Sequence, residues 1–89
     1  MKAAKILEQS ISTMIQRGSD RDVEEERSMG KIVSCFNTAT GHSLSERDGW
    51  IFLVMLKAVR ACATEKGKLD DYVDGGAYFA LAGESVTRD

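Results

Sequence analysis

The chain has 89 residues, 43% hydrophobic and 29% charged, with no proline and a formal net charge of −2. That composition describes one soluble globular domain, large enough for a single core and small enough that self-association is a natural supplement. The weakly acidic balance argues against broad attraction to nucleic acid or anionic membrane, and no apolar run is long enough to span a bilayer.

The start, Met1 to Lys5, leads into an amphipathic pattern and not a signal-peptide apolar region, so a cytoplasmic protein is expected. Ala4, Leu7, Ile11 and Met14 recur at helical spacing, with Ile6 and Ile15 widening the stripe. They predict a helix over 3–17 that stops at Gly18. The stretch Ser19 to Val23 is a polar connection. A second helix is expected over 23–40, with Glu24, Glu25 and Glu26 in its first turn and Met29, Ile32, Val33 and Phe36 facing inward. Gly41 closes it.

Ser45 followed by Asp48 resembles a capping box, and Ser43 with Glu46 competes for the same role. The third helix runs over 46–64. Its middle, Trp50 to Leu56, is seven apolar residues in a row, the mark of a helix surrounded by its neighbours. Gly67 lies in a polar loop, and a fourth helix over 71–83 carries Val73, Ala77, Tyr78 and Leu81 inward. Gly75 and Gly76 cost helix stability, which close approach to helix three or to another subunit would offset. Residues beyond Gly83 should fray. Helices of this length with short connections predict an all-α, antiparallel four-helix bundle, assembled into an oligomer.

Cys35 and Cys62 fall in predicted helix interiors and read as small core residues in a reducing compartment; spacing alone leaves a disulfide between them open. His42 stands alone in a turn. Of Trp50, Phe52, Tyr72, Tyr78 and Phe79, most are expected in the core.

One charged constellation stands out. Lys57 and Arg60 are three residues apart on an otherwise apolar helix, and Asp70, Asp71 and Asp74 open the next one. Lys57 and Arg60 have the chemistry of a phosphate clamp, a point charge beside a planar fork of donors. An ion pair with Asp70 or Asp74 is the simpler alternative. Asp74, a turn into its helix beside Val73 and Ala77, needs a partner, with Lys57 or Arg60 the expected one. The aspartates at helical spacing suit a divalent cation such as Mg²⁺ if further acids join them, and Glu24, Glu25 or Glu26 are the available ones. Tyr72, beside the cluster, is placed to stack on a base.

Several motifs occur in order: Arg17, then Ser45-Glu46-Arg47-Asp48, then Met55-Leu56-Lys57-Ala58-Val59-Arg60. The stretch Asp70-Asp71-Tyr72-Val73-Asp74-Gly75-Gly76-Ala77-Tyr78-Phe79-Ala80-Leu81 closes the series. From Ile15 to Glu84 the chain thereby resembles a family of short phage and prophage proteins of unknown function. These look like trimmed relatives of the MazG-type all-α nucleoside triphosphate pyrophosphohydrolases. The first half departs from the pattern, with Asp20-Arg21-Asp22 where the family has Asp-Tyr-Gly.

The resemblance implies an oligomeric, helical, nucleotide-binding scaffold in the host cytoplasm. MazG-type enzymes hold Mg²⁺ with a Glu-x-x-Glu pair and a Glu-x-x-Asp pair. Here Asp71 and Asp74 keep the second spacing, while Glu24 and Glu25 are adjacent and form no strict first pair. Three readings follow. The first is a nucleotide-binding protein using Arg17, Lys57, Arg60, Tyr72 and Asp74 on its ligand, with sequestration of a host signalling nucleotide as one use. The second is a Mg²⁺-dependent pyrophosphohydrolase with Glu24, Glu25, Asp71 and Asp74 as ligands. The third is a non-catalytic inhibitor or interaction module that binds a host protein.

Overall fold

A computed structural model describes residues 1–20 and 28–87, with the backbone alone at 17–20. Those residues form four α-helices and no strand: α1 (Ala3–Asp20), α2 (Ser28–Thr40), α3 (Glu46–Cys62) and α4 (Leu69–Thr87). The expected second helix began at 23, and its first residues, Glu24 to Glu26 included, lie outside the described residues. The other boundaries show which glycines stop a helix. Gly18 and Gly83, the expected stops, lie inside α1 and α4. A glycine ends a helix when it turns left-handed, which here only Gly41 (φ 77°) and Gly67 (φ 72°) do among the described residues.

The start of α3 follows the Ser45 option. Asp48 N–H donates to Ser45 Oγ at 3.1 Å, and Ser45 N–H donates to Asp48 Oδ2 at 2.9 Å. These hydrogen bonds favour the carboxylate and hold the Asp48 pKa below its ordinary value. Their contribution to stability is therefore full above the unfolded-state pKa and is lost as pH falls through the lowered folded value. Ser45→Ala should return the Asp48 midpoint upward; a carboxyl-carbon NMR titration with an unmoved midpoint would refute the assignment. The turn before α3 has a second clamp. The Asn37 side chain donates to the Leu44 carbonyl and accepts from the Leu44 N–H, both at 2.9 Å.

Packing centres on α3 and α4, which share the most extensive contact; α1 lies on α4 and α2 on α3. The core is small: Met29, Val33, Ala61, Val73, Ala77 and Ala82, with Trp50 stacked on Tyr78 at 5.9 Å. Ser10 is buried with them, and its hydroxyl donates to the Val73 carbonyl at 2.8 Å. Gly76 makes room for this contact, since a Cβ there would lie 2.9 Å from Ser10 Oγ. The compensation for Gly76 is thus approach to α1, while a Cβ on Gly75 would make only an ordinary contact, 3.5 Å from Lys57 Cβ of α3. Two results should follow. Ser10→Ala should cost about 1 kcal/mol. Gly76→Ala should destabilise the parent yet be neutral or favourable in the Ser10→Ala background, as read by urea titration. Equal effects in both backgrounds would break the coupling.

Much of the apolar sequence faces outward. The third helix is not surrounded: Phe52, Met55, Leu56 and Val59 are exposed, as are Ile32 and Phe36 of α2 and Leu7, Ile11 and Ile15 of α1. Phe79 and Tyr72 are exposed too, so the aromatics are mostly outside the core. With α2 on one flank and α4 on the other, α3 keeps an apolar face that is exposed among the described residues. Cys35 and Cys62 are likewise exposed free thiols and not core residues, Cys62 bordering the groove between α3 and α4. His42 is exposed and stacks on Phe36 at 5.7 Å. The radius of gyration, 14.1 Å, exceeds the roughly 12 Å of a closely packed domain of this length.

Candidate functional site

Where α3 ends and α4 begins, the charged residues come together. Lys57 and Arg60 project from the last turns of α3, one turn apart. The loop 63–68 then joins α3 to α4 and is tied down at three points. Gly67 N–H donates to Thr64 Oγ1 at 2.9 Å, and the Tyr72 hydroxyl donates to the Lys66 carbonyl at 2.7 Å. Gly67 also sits so close to α3 that a Cβ would lie 2.7 Å from the Ala61 carbonyl oxygen.

The result is an open cleft of about 460 Å³ lined by Lys57, Arg60, Lys68, Asp70, Asp71 and Asp74. Lys57 Nζ is 3.1 Å from Asp74 Oδ2, with the two side chains only 12% and 17% exposed. The half-buried aspartate therefore has the lysine as one of its partners, and that ammonium is committed to the floor of the cleft. Arg60 and Lys68 are exposed at the rim and form no ion pair among the described residues. Asp70 and Asp71 sit in the first turn of α4, where the helix dipole favours negative charge. Three cations and three carboxylates thus share the walls, the buried pair neutralising one of each.

Four of the expected ligand residues meet this geometry differently. Lys57, Arg60 and Asp74 converge. Tyr72 does not join them: it spends its hydroxyl on the loop and lines a neighbouring groove of about 340 Å³ with Gly75 and Gly76. Asp71 borders both hollows. The Arg17 side chain, and Glu24 and Glu25, lie outside the described residues. Lys68 is the residue that sequence reasoning missed. In the stretch Glu65 to Leu69 it read as loop polarity, and its single signal was its place just after Gly67.

Among the described residues no three His, Cys, Asp or Glu side chains are placed to share a metal ion. Asp71 and Asp74 keep their spacing, yet Asp74 already holds an ammonium. The described part of the expected Mg²⁺ set does not fit the ion by itself. What the cleft can do is bind: a planar guanidinium and an ammonium at the rim for phosphate, beside carboxylates able to accept hydrogen bonds from hydroxyl or amino groups.

None of the described helices is long and apolar enough to cross a membrane. A family model described as "Domain of unknown function (DUF6378)" matches residues 5–86. No curated protein and no solved structure matches the chain.

Proposed function

We propose that this chain, which belongs to the DUF6378 family, is a nucleotide-binding helical protein that holds its ligand without turning it over. The observation that carries the reading is the cleft between α3 and α4, where Arg60 and Lys68 stand at the rim above the Lys57–Asp74 pair with no ion pair among the described residues. Arg60 supplies bidentate donors to a phosphate and Lys68 a second positive charge. Asp70 accepts from the sugar or base. Lys57, fixed by Asp74, keeps the floor rigid. Its resemblance to trimmed MazG-type phage proteins adds sequestration of a signalling nucleotide in the host cytoplasm as the use of such a site. Catalysis with Mg²⁺ is the weaker reading, because it needs acids beyond those that converge here. The assembly we infer is an antiparallel bundle completed as a homo-oligomer, a reading supported by the apolar surface left outside each chain. The same surface favours, as second reading, an interaction module for a host protein.

The test is a thermal-shift screen of mono-, di- and cyclic nucleotides with and without Mg²⁺. At a ligand concentration of 100 times Kd, binding should add about 2.7 kcal/mol to stability, without Mg²⁺. Arg60→Ala should abolish that shift and leave the ligand-free melting temperature in place, since Arg60 is exposed. Stabilisation by no nucleotide would overturn the reading. Mg²⁺-dependent turnover that disappears in a folded Asp71→Asn variant would replace it with the enzyme.

A further inference from the structure

The outer face of α3 lacks exposed charge along most of its length. From Gly49 to Val59 the only charged residue is Lys57, and it turns inward to Asp74. What remains outside is Phe52, Met55, Leu56 and Val59, exposed at 72%, 59%, 39% and 70%. Spacings of three and four place them on one face of about two turns. At the Phe52 end this face continues into an apolar groove of about 290 Å³ between α2 and α3, shared with Ile32, Phe36 and Leu44. The apolar row of α1, by contrast, runs beside the exposed Lys5–Glu8 pair.

Area indicates that the chain as a whole has surface to spare for a partner. The chain exposes 6573 Å², whereas a folded monomer of 9.8 kDa exposes about 5,200 Å². The surplus, about 1,400 Å², exceeds the roughly 800 Å² that each partner buries in an interface of standard size. The pattern indicates what covers it. Asp48, Phe52, Leu56 and Arg60 form one row at four-residue spacing, acidic at one end and basic at the other. Turned end for end, that row complements itself: Asp48 comes opposite a second Arg60, and Phe52 opposite a second Leu56. A two-fold interface requires this kind of self-complementarity, and antiparallel helix dipoles add to it.

We propose that the α3 face seats a second copy of this chain in a two-fold dimer, α3 packing antiparallel on α3 across Phe52, Met55, Leu56 and Val59. The proposal deepens the homo-oligomer reading above and rests on it; ligand binding is not required. Arg60 belongs to both the row and the cleft, so the test leaves it in place.

Analytical ultracentrifugation of the full chain at micromolar concentration decides the matter. The parent should sediment at twice the chain mass. Phe52→Glu and Val59→Glu should each weaken the dimer by at least about 100-fold, because each places an unpaired carboxylate in the contact. Ile11→Glu on α1, equally polar and off the face, should leave the mass unchanged. Far-ultraviolet circular dichroism checks folding, and Val59→Lys replaces any glutamate variant that loses helix. A monomeric parent overturns both the proposal and the oligomer reading. An oligomer indifferent to the α3 variants overturns this seat alone, as does one that only Ile11→Glu dissociates.

Discussion

Replacing Asp74 by alanine should lower the stability of the fold by about 2–4 kcal/mol, lowering the melting temperature by roughly 10–20 °C. The reason is the lysine left behind. Lys57 Nζ is 3.1 Å from Asp74 Oδ2 and its side chain is 12% exposed, so loss of the carboxylate strands a charge with little water to take it. Restoring solvent to that ammonium requires its stem to leave its place beside Gly75 of α4. The loss should be smaller in Lys57→Met/Asp74→Ala, which removes both charges, than in Asp74→Ala alone. Chemical denaturation of the parent, both single variants and the double variant gives the coupling energy directly. A single Asp74→Ala variant as stable as the parent would show that the pair is decoration.

Gly49→Val should cost about as much, roughly 3 kcal/mol, by a different route. Gly49 is buried in α3 directly beneath α2. A Cβ on it would overlap Met29 Sδ and lie 2.9 Å from Val33 Cγ1. Met29 can swing aside, but Val33 has little rotamer freedom in a helix. Met29 and Val33 are the buried residues by which α2 holds on, so relief of the clash means lifting α2 away. Gly49→Ala is the milder case, because about 1 kcal/mol of gained helix propensity offsets part of the overpacking. Hydrogen exchange should show where the damage falls: Ser28–Thr40 loses protection first, while α4 keeps it. Uniform loss across all four helices would mean that α2 is not separable from the rest.

Local chemistry made most of the fold legible. The capping box at Ser45 and Asp48 and the left-handed Gly41 act within a few residues, and pattern reading recovers such features well. Gly18 and Gly83 misled because a glycine inside a helix and one that stops it look alike until φ is known. Burial was the larger difference. Seven apolar residues from Trp50 to Leu56 announce a helix that needs covering, but not whether its own chain or another does so. Ser10 was invisible for a related reason: a polar residue in an amphipathic helix reads as solvent-facing, and its partner, the Val73 carbonyl, is 63 residues away. At the cleft, Lys57, Arg60, Asp70 and Asp74 were found because helical periodicity aligns them across one short loop. Lys68 was not, since no periodicity governs a loop.

The packing order has a consequence for synthesis. The two middle partners, α3 and α4, are adjacent in sequence and joined by six residues, so their pairing closes a short loop and can form early. The first helix instead docks on the last one, through Ser10 and the Val73 carbonyl. At ribosomal speeds of about 5–20 residues per second, α1 waits roughly 3–13 s before its docking site has been made. During that interval Ile6, Ser10 and Met14, positions covered or half-covered in the fold, have no α4 to lie against. Of the four helices, the one synthesised earliest is therefore the last to be secured.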